Sequence, residues 1–500
     1  MKKILFFAAA AVAMLASCSQ NDDLTAPKVA QQDQQQEAIQ FGTYIGRQAQ
    51  TRAGYEGAIT TTELQDAKDG TKTKGFGVFA HYASDGTAYN SLTSRTPNFM
   101  YNEQIYYNSG WKYDNIKYWP NGTNRTTSAA DDENATSTTA NKVSFFAYAP
   151  YVSEGSGDYG ITDLSGNSAA DNPKVTYTLD NAHFVDLLWG TAGTNGVDVA
   201  GNAQNGTVIS TTANGSATSP DANYANIAVN ADMTKQKVDG VVQFAFKHAL
   251  SQVAGYSTTA YGGLSVIADI DDGVNETTPT IGASSAETGG TLDPSKTKVT
   301  ITSITITPDR TDTNGDGLYD NAMPTIGVLD LATGSWTNTA ATAATQLNFT
   351  HVINNNPSEG QYTLNTAIKT PTTLTEWDNI KDVTGVLSTA PTNVYASAAA
   401  TPLIFLPGTT PKLTFTIQYE VCTKDTKLAA GCSIVTQTIT KTISFGTPVQ
   451  LNKRYNILIH LGLTGIKFDA TVSDWVEDID NDNDVDASDT QAVNLPINVI

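Results

Sequence analysis

Leu413-Thr-Phe415-Thr-Ile417-Gln-Tyr419-Glu-Val421 sets an apolar side chain at every second position without a break. Successive side chains of an extended strand point to opposite faces, so this stretch reads as a strand with one buried face and one wet face. The pattern continues outward. Tyr455, Ile457, Ile459, Leu461 and Leu463 alternate, as do Ile466, Phe468, Ala470 and Val472, and before them Val242, Phe244 and Phe246. The run 299–306 is rich in β-branched residues. In the first half Ile39, Phe41, Thr43 and Ile45 alternate, and further strands are read at 76–79, 99–101, 105–107, 111–113, 116–119, 143–148 and 184–189. Asn108-Ser109-Gly110 marks a hairpin turn between two of them. No segment carries a long 3.6-residue period, so the chain is predicted to be all-β.

The 500 residues suggest more than one domain. Charged residues make up only 16%, which suits β-sheets with long polar loops better than helix bundles. The formal charge of −21 repels phosphate and excludes nucleic acid as a partner. The five histidines lie too far apart in sequence for a local zinc pair. There is no Gly-x-Ser-x-Gly elbow, Walker loop or His-Glu-x-x-His motif, and no enzyme is expected. Only a two-carboxylate glycosidase is left open by so acidic a chain.

The first residues set the compartment. Lys2 and Lys3 precede a short apolar run and then Leu15-Ala16-Ser17-Cys18. Such a stretch is a secretory signal and too short to span a bilayer. Leu-Ala-Ser-Cys resembles a bacterial lipobox, which implies cleavage before Cys18 and anchoring in outer-membrane lipid through its acylated thiol and amine. The plain alternative is an ordinary signal with a chance cysteine. Residues 1–17 are thus a signal and 18–37, rich in Gln, a flexible tether. Two β-rich halves follow, 38–235 and 236–476, then an acidic loop and final strand at 477–500.

Cys422 and Cys432 bracket a hairpin loop. In an oxidising compartment they are candidates for a disulfide, the alternative being two separate thiols. Calcium is the one cofactor considered. Asp478, Asp480, Asp482, Asp486 and Asp489 stand at positions 1, 3, 5, 9 and 12 of a segment resembling a dockerin-type calcium loop. A hard divalent cation would relieve the repulsion of these carboxylates; otherwise the segment is a solvated acidic linker. Asp312, Asn314, Asp316 and Asp320, with Gly317 at position 6, form a second candidate that lacks a closing carboxylate and is equally readable as a Gly-rich turn.

Six segments together resemble the fimbrillin family, the type V pilins of Bacteroidetes: Phe76-Gly-Val-Phe-Ala80, Lys117-Tyr-Trp-Pro-Asn121, Val143-Ser-Phe-Phe-Ala-Tyr-Ala-Pro-Tyr151, Asp186-Leu-Leu-Trp-Gly190, Phe246-Lys-His-Ala-Leu-Ser-Gln252 and Val472-Ser-Asp-Trp475. The resemblance implies two transthyretin-like β-sandwich domains in tandem, export as a lipoprotein and a place in a surface fimbrium with other fimbrial subunits. It also implies assembly by strand exchange. A protease cuts after an arginine near the N-terminus, the first strand leaves, and a strand from another subunit takes its groove. Arg52-Ala53 resembles the family's Arg-Ala junction more closely than Arg47-Gln48 does. The donor would be the tail, in which Val493, Leu495, Ile497 and Val499 share one face. Its other reading is an ordinary last strand. Stalk, tip and anchor positions all remain open, with adhesion to a glycan or protein ligand as the associated role. The rival function is a glycan-binding surface lipoprotein that never polymerises, with Tyr106, Tyr107, Trp111 and Tyr113 as a sugar platform instead of packing residues.

Overall fold

The computed structural model describes residues 38–44, 59, 64–65, 68–69, 72–120, 141–164, 171–181, 184–193, 195–197, 203–204, 206–207, 209, 228–234, 238, 240–257, 262–268, 295–369, 377, 380, 391–397, 402–429, 431–461, 466–474, 493–494 and 497–499. These residues form an all-β protein, with short 3-10 turns at Tyr89–Ser91 and Asp158–Gly160 and helical backbone at Leu64 and Gln65. No described helix is long and apolar enough to cross a membrane.

An eight-stranded sheet dominates the first half. Its main path runs from Gln40–Tyr44 through Val241–His248, Leu188–Ala192, Lys142–Ala149, Phe76–Ala83 and Met100–Tyr107 to Trp111–Lys112. Its central strands bury both faces, which explains their unbroken apolar runs. Phe79, Phe146, Tyr148 and Trp189 face one core, while Phe76, Val78, Phe145 and Phe244 face another. The turn signal at Asn108-Ser109-Gly110 closes a hairpin as expected. Ser109 and Gly110 take φ of 53° and 136°, and Tyr107 pairs with Trp111.

In the second half a seven-stranded and a six-stranded sheet face each other. Lys453–Leu461 and Ile466–Asp474 lie in the first; Thr297–Pro308, Lys412–Lys424 and Cys432–Phe445 lie in the second. Phe415 meets Phe468 at 5.0 Å and Phe445 meets Tyr455 at 5.6 Å across the gap between them. The alternating residues Leu413, Phe415, Ile417 and Tyr419 are all buried.

The sheets do not divide at residue 235. The strand Val241–His248, read as opening the second half, lies inside the first sheet because Val242, Phe244 and Phe246 complete its core. A four-stranded sheet takes Ile161–Asp163 and Lys174–Thr178 from one half and Ile326–Asp330 and Trp336–Asn338 from the other. One hydrophobic core, from Phe79 to Val472, consequently runs through both halves.

Candidate functional site

The first strand, Gln40–Tyr44, occupies a slot at the edge of the eight-stranded sheet. It pairs in parallel with Val241–His248, Gln40 opposite Val241 and Tyr44 opposite Ala245. On its other side the chain bridges to Tyr118, and Ile39 N–H donates to Lys117 O at 2.9 Å. Ile39 and Phe41 point inward, 1% and 6% exposed. Phe41 is ringed by Tyr113, Phe145, Phe244 and Phe76 at 5.4–6.5 Å. The Tyr113 hydroxyl donates to Ile39 O at 2.9 Å, and Trp119 Nε1–H donates to Gly240 O at 3.1 Å, so two aromatic side chains tie the slot's walls together. Burial pushes the Tyr113 hydroxyl's pKa up, against the lowering effect of its bond to Lys117.

Among the described residues here, Ile39 and Phe41 are the buried hydrophobic side chains. Full burial of Ile39 and Phe41 contributes about 1.5–3 kcal/mol each.

Tyr113 is buried beneath the first strand, Trp111 packs edge-on against Phe76 at 5.0 Å, and the Tyr106 hydroxyl meets Asp114 at 3.0 Å. Tyr113 and Trp111 pack into the core beside the first strand, while Tyr106 and Tyr107 are half-buried. Sequence reading did not single out Tyr113, Lys117 or Gly240 as slot residues. The signal was present in the Lys117-Tyr118-Trp119 motif, but its partner across the sheet lies far along the chain.

The tail lies at sheet edges. Val493–Asn494 pairs with Val472 and Thr471, and Ile497–Val499 pairs with Phe445, Ser444 and Ile443. Each piece is the outermost strand of a different sheet. Both pairings are short, and neither places the tail in the middle of a sheet. Pro496, which has no N–H to donate, lies outside the described residues, as does Leu495.

Two of the family-like motifs meet in space. His248 Nδ1 lies 2.5 Å from Asp186 Oδ2, and both side chains are buried. The same oxygen accepts the Ile59 N–H at 3.2 Å. Ile59 is itself buried and sits just beyond Arg52, so a chain cut after Arg52 would keep this anchor. Arg47, Arg52 and Cys18 lie outside the described residues, as do Asp478, Asp480, Asp482, Asp486 and Asp489.

The loop from Asp312 to Asp320 uses its carboxylates on itself. Asp312 accepts the Gly315 and Gly317 N–H groups at 2.8 and 2.9 Å, Asp316 accepts that of Leu318 at 2.8 Å, and Asp320 accepts from the backbone and hydroxyl of Thr313. The Thr313 hydroxyl holds the Asp320 carboxyl below the usual range. Among the described residues no three His, Cys, Asp or Glu side chains gather as a metal site. Asp312, Asp316 and Asp320 each accept hydrogen bonds from within the loop. Cys422 and Cys432 are both buried free thiols in one small cluster.

These features define a class: an all-β protein of packed sheets whose first and last described strands lie at sheet edges. Comparison with known proteins narrows it. No family model matches the chain. Fimbrium subunit Fim1C of Phocaeicola vulgatus (strain ATCC 8482) is 29% identical over 217 residues, which is 42% of this chain and 42% of that protein. The match thus spans well under half of that relative's length. A fimbrial protein from Bacteroides vulgatus ATCC 8482, known from its crystal structure, has the same fold. It is 22% identical at a TM-score of 0.50, covering 88% of this chain and 100% of that one. Together these likenesses bear out the resemblance to the fimbrillins read in the sequence.

Proposed function

We propose that this chain is a structural subunit of a cell-surface fimbria, not an enzyme, and that it assembles by strand exchange. On this reading it is exported as a lipoprotein anchored through Cys18 and cut after Arg52, with Arg47 the second choice. The first strand then leaves, and the tail of a neighbouring subunit fills the slot. Adhesion and biofilm formation are the roles that follow for the assembled filament.

The observation that carries this reading is the placement of the two terminal segments. The first strand closes an apolar slot at one sheet edge with two buried side chains, and the tail touches sheet edges through short pairings. An open slot would expose both backbone groups and Phe244, so a replacement strand is favoured. The tail's four apolar side chains offer roughly 6–12 kcal/mol on burial before ordering costs. Backbone pairing is indifferent to sequence, while pockets read alternate side chains, so the two segments suit one slot.

Deleting residues 493–500 tests the reading. Filaments should disappear from electron micrographs of expressing cells while the purified monomer keeps its β-rich circular dichroism. Filaments of normal number and length from the truncated protein would overturn it.

A further inference from the structure

The outer face of the six-stranded sheet is mostly wet, but one end of it is dry. Cys422 lies opposite Ile434 and Cys432 opposite Lys424 in the hairpin register, so the two thiols share a face as diagonal neighbours. Both are buried, and they form a small cluster with Trp377 and Ile380, separate from the two large cores. Lys298, opposite Cys422 on the next strand, donates to the carbonyls of Trp377 and Ile380 at 3.1 and 3.2 Å. The ammonium groups of Lys298 and Lys424 lie 4.8 and 5.7 Å from the centre of the Trp377 ring. Two lysines thus hold an indole over two thiols. Beside this patch Ser433–Thr438 are all exposed, and so are Thr423–Ala429 at the turn. Neither the slot nor the tail uses it.

We propose that Cys422 and Cys432 are a disulfide-forming site that pins the closed end of the long hairpin, joined before Trp377 and Ile380 cover it. The chemistry is thiol–disulfide exchange with an external disulfide as the oxidant. One cysteine thiolate attacks a sulfur of that disulfide and expels a thiolate. The second cysteine thiolate then attacks the mixed disulfide at the protein's own sulfur and expels the other. The protein loses two electrons and two protons, and the oxidant becomes two thiols.

Geometry and environment set the order of events. Diagonal neighbours across an antiparallel pair stand about 7–8 Å apart, slightly beyond the roughly 6.8 Å reach of a disulfide. The two side chains are already within hydrogen-bond reach of each other, so the bond needs only a small inward shift of the hairpin end. Under the cap, burial, with the neighbouring Cys432 as the next contributor, pushes the Cys422 thiol up to about 12. A thiol so rarely ionised is a poor nucleophile, so exchange belongs to the uncapped chain.

Tryptic mapping tests the site. The full chain, made in an oxidising compartment, is alkylated with iodoacetamide in denaturant without reductant and then digested. Cleavage after Lys412, Lys424, Lys427 and Lys441 separates peptide 413–424 from peptide 428–441. The expected result is a joined pair that dithiothreitol splits. Two separate peptides, each carrying its own alkyl group even after incubation of the unfolded chain with oxidised glutathione, would overturn the proposal. The cap has its own readout: with both thiols reduced, Trp377→Ala should speed native-state alkylation about tenfold, because two cation–π contacts are lost. An unchanged rate would contradict the protective cap.

Discussion

His351 shows what a single buried side chain does to the whole fold. Its ring stacks on Tyr362 at 4.5 Å. Its Nε2 lies 2.8 Å from the Tyr395 hydroxyl, which itself donates to Ala254 O at 2.9 Å, so Nε2–H is the donor to Tyr395. Burial holds the imidazole's pKa down to about 3, against roughly 6.5 in an unfolded chain. Between these values the unfolded state binds a proton that the folded state refuses, so stability is full above about pH 6.5 and is lost as pH falls toward 3. Each pH unit in that window costs up to about 1.4 kcal/mol. Urea unfolding at pH 6.5 and pH 4.5 should show a shallower loss for His351→Gln than for the parent, since the carboxylates are common to both. Equal losses would show that His351 is not the group responsible. Nothing in the sequence around His351 announced this role, because the side chains that bury it come from residues 362 and 395.

At the scale of elements, the sequence was most legible where one strand faces one core. The alternation at Leu413, Phe415, Ile417 and Tyr419 translates directly into buried positions, and the turn at Asn108-Ser109-Gly110 into the backbone angles it demands. Pairing was less legible. Val241–His248 reads as a strand, yet nothing local says that it lies between Gln40–Tyr44 and Leu188–Ala192. The tail is a similar case. Its alternation is visible, but not its division between two sheets, which depends on edges built elsewhere. Of the two acidic loops, the one at Asp312 closes on itself through hydrogen bonds. The run from Asp478 to Asp489 immediately precedes the tail, and we infer that calcium there would stiffen the approach to it by relieving carboxylate repulsion. Melting curves with millimolar calcium should then lie above those with EDTA. Coincident midpoints would remove calcium from the account.

Over the whole molecule, the two halves share a core and a mixed four-stranded sheet, so the body should behave as one cooperative unit. The buried Asp186–His248 contact and its bond to Ile59 fit that expectation, because they hold the chain just beyond the expected cut. The central claim is that one slot accepts either terminal segment. Its most direct measurement is the binding of a labelled peptide of residues 493–500 to the protein before and after trypsin removes everything up to Arg52. The account expects tight binding to the trimmed protein only, with displacement by a peptide of residues 38–45. Equal binding to both forms, or none to either, would contradict it.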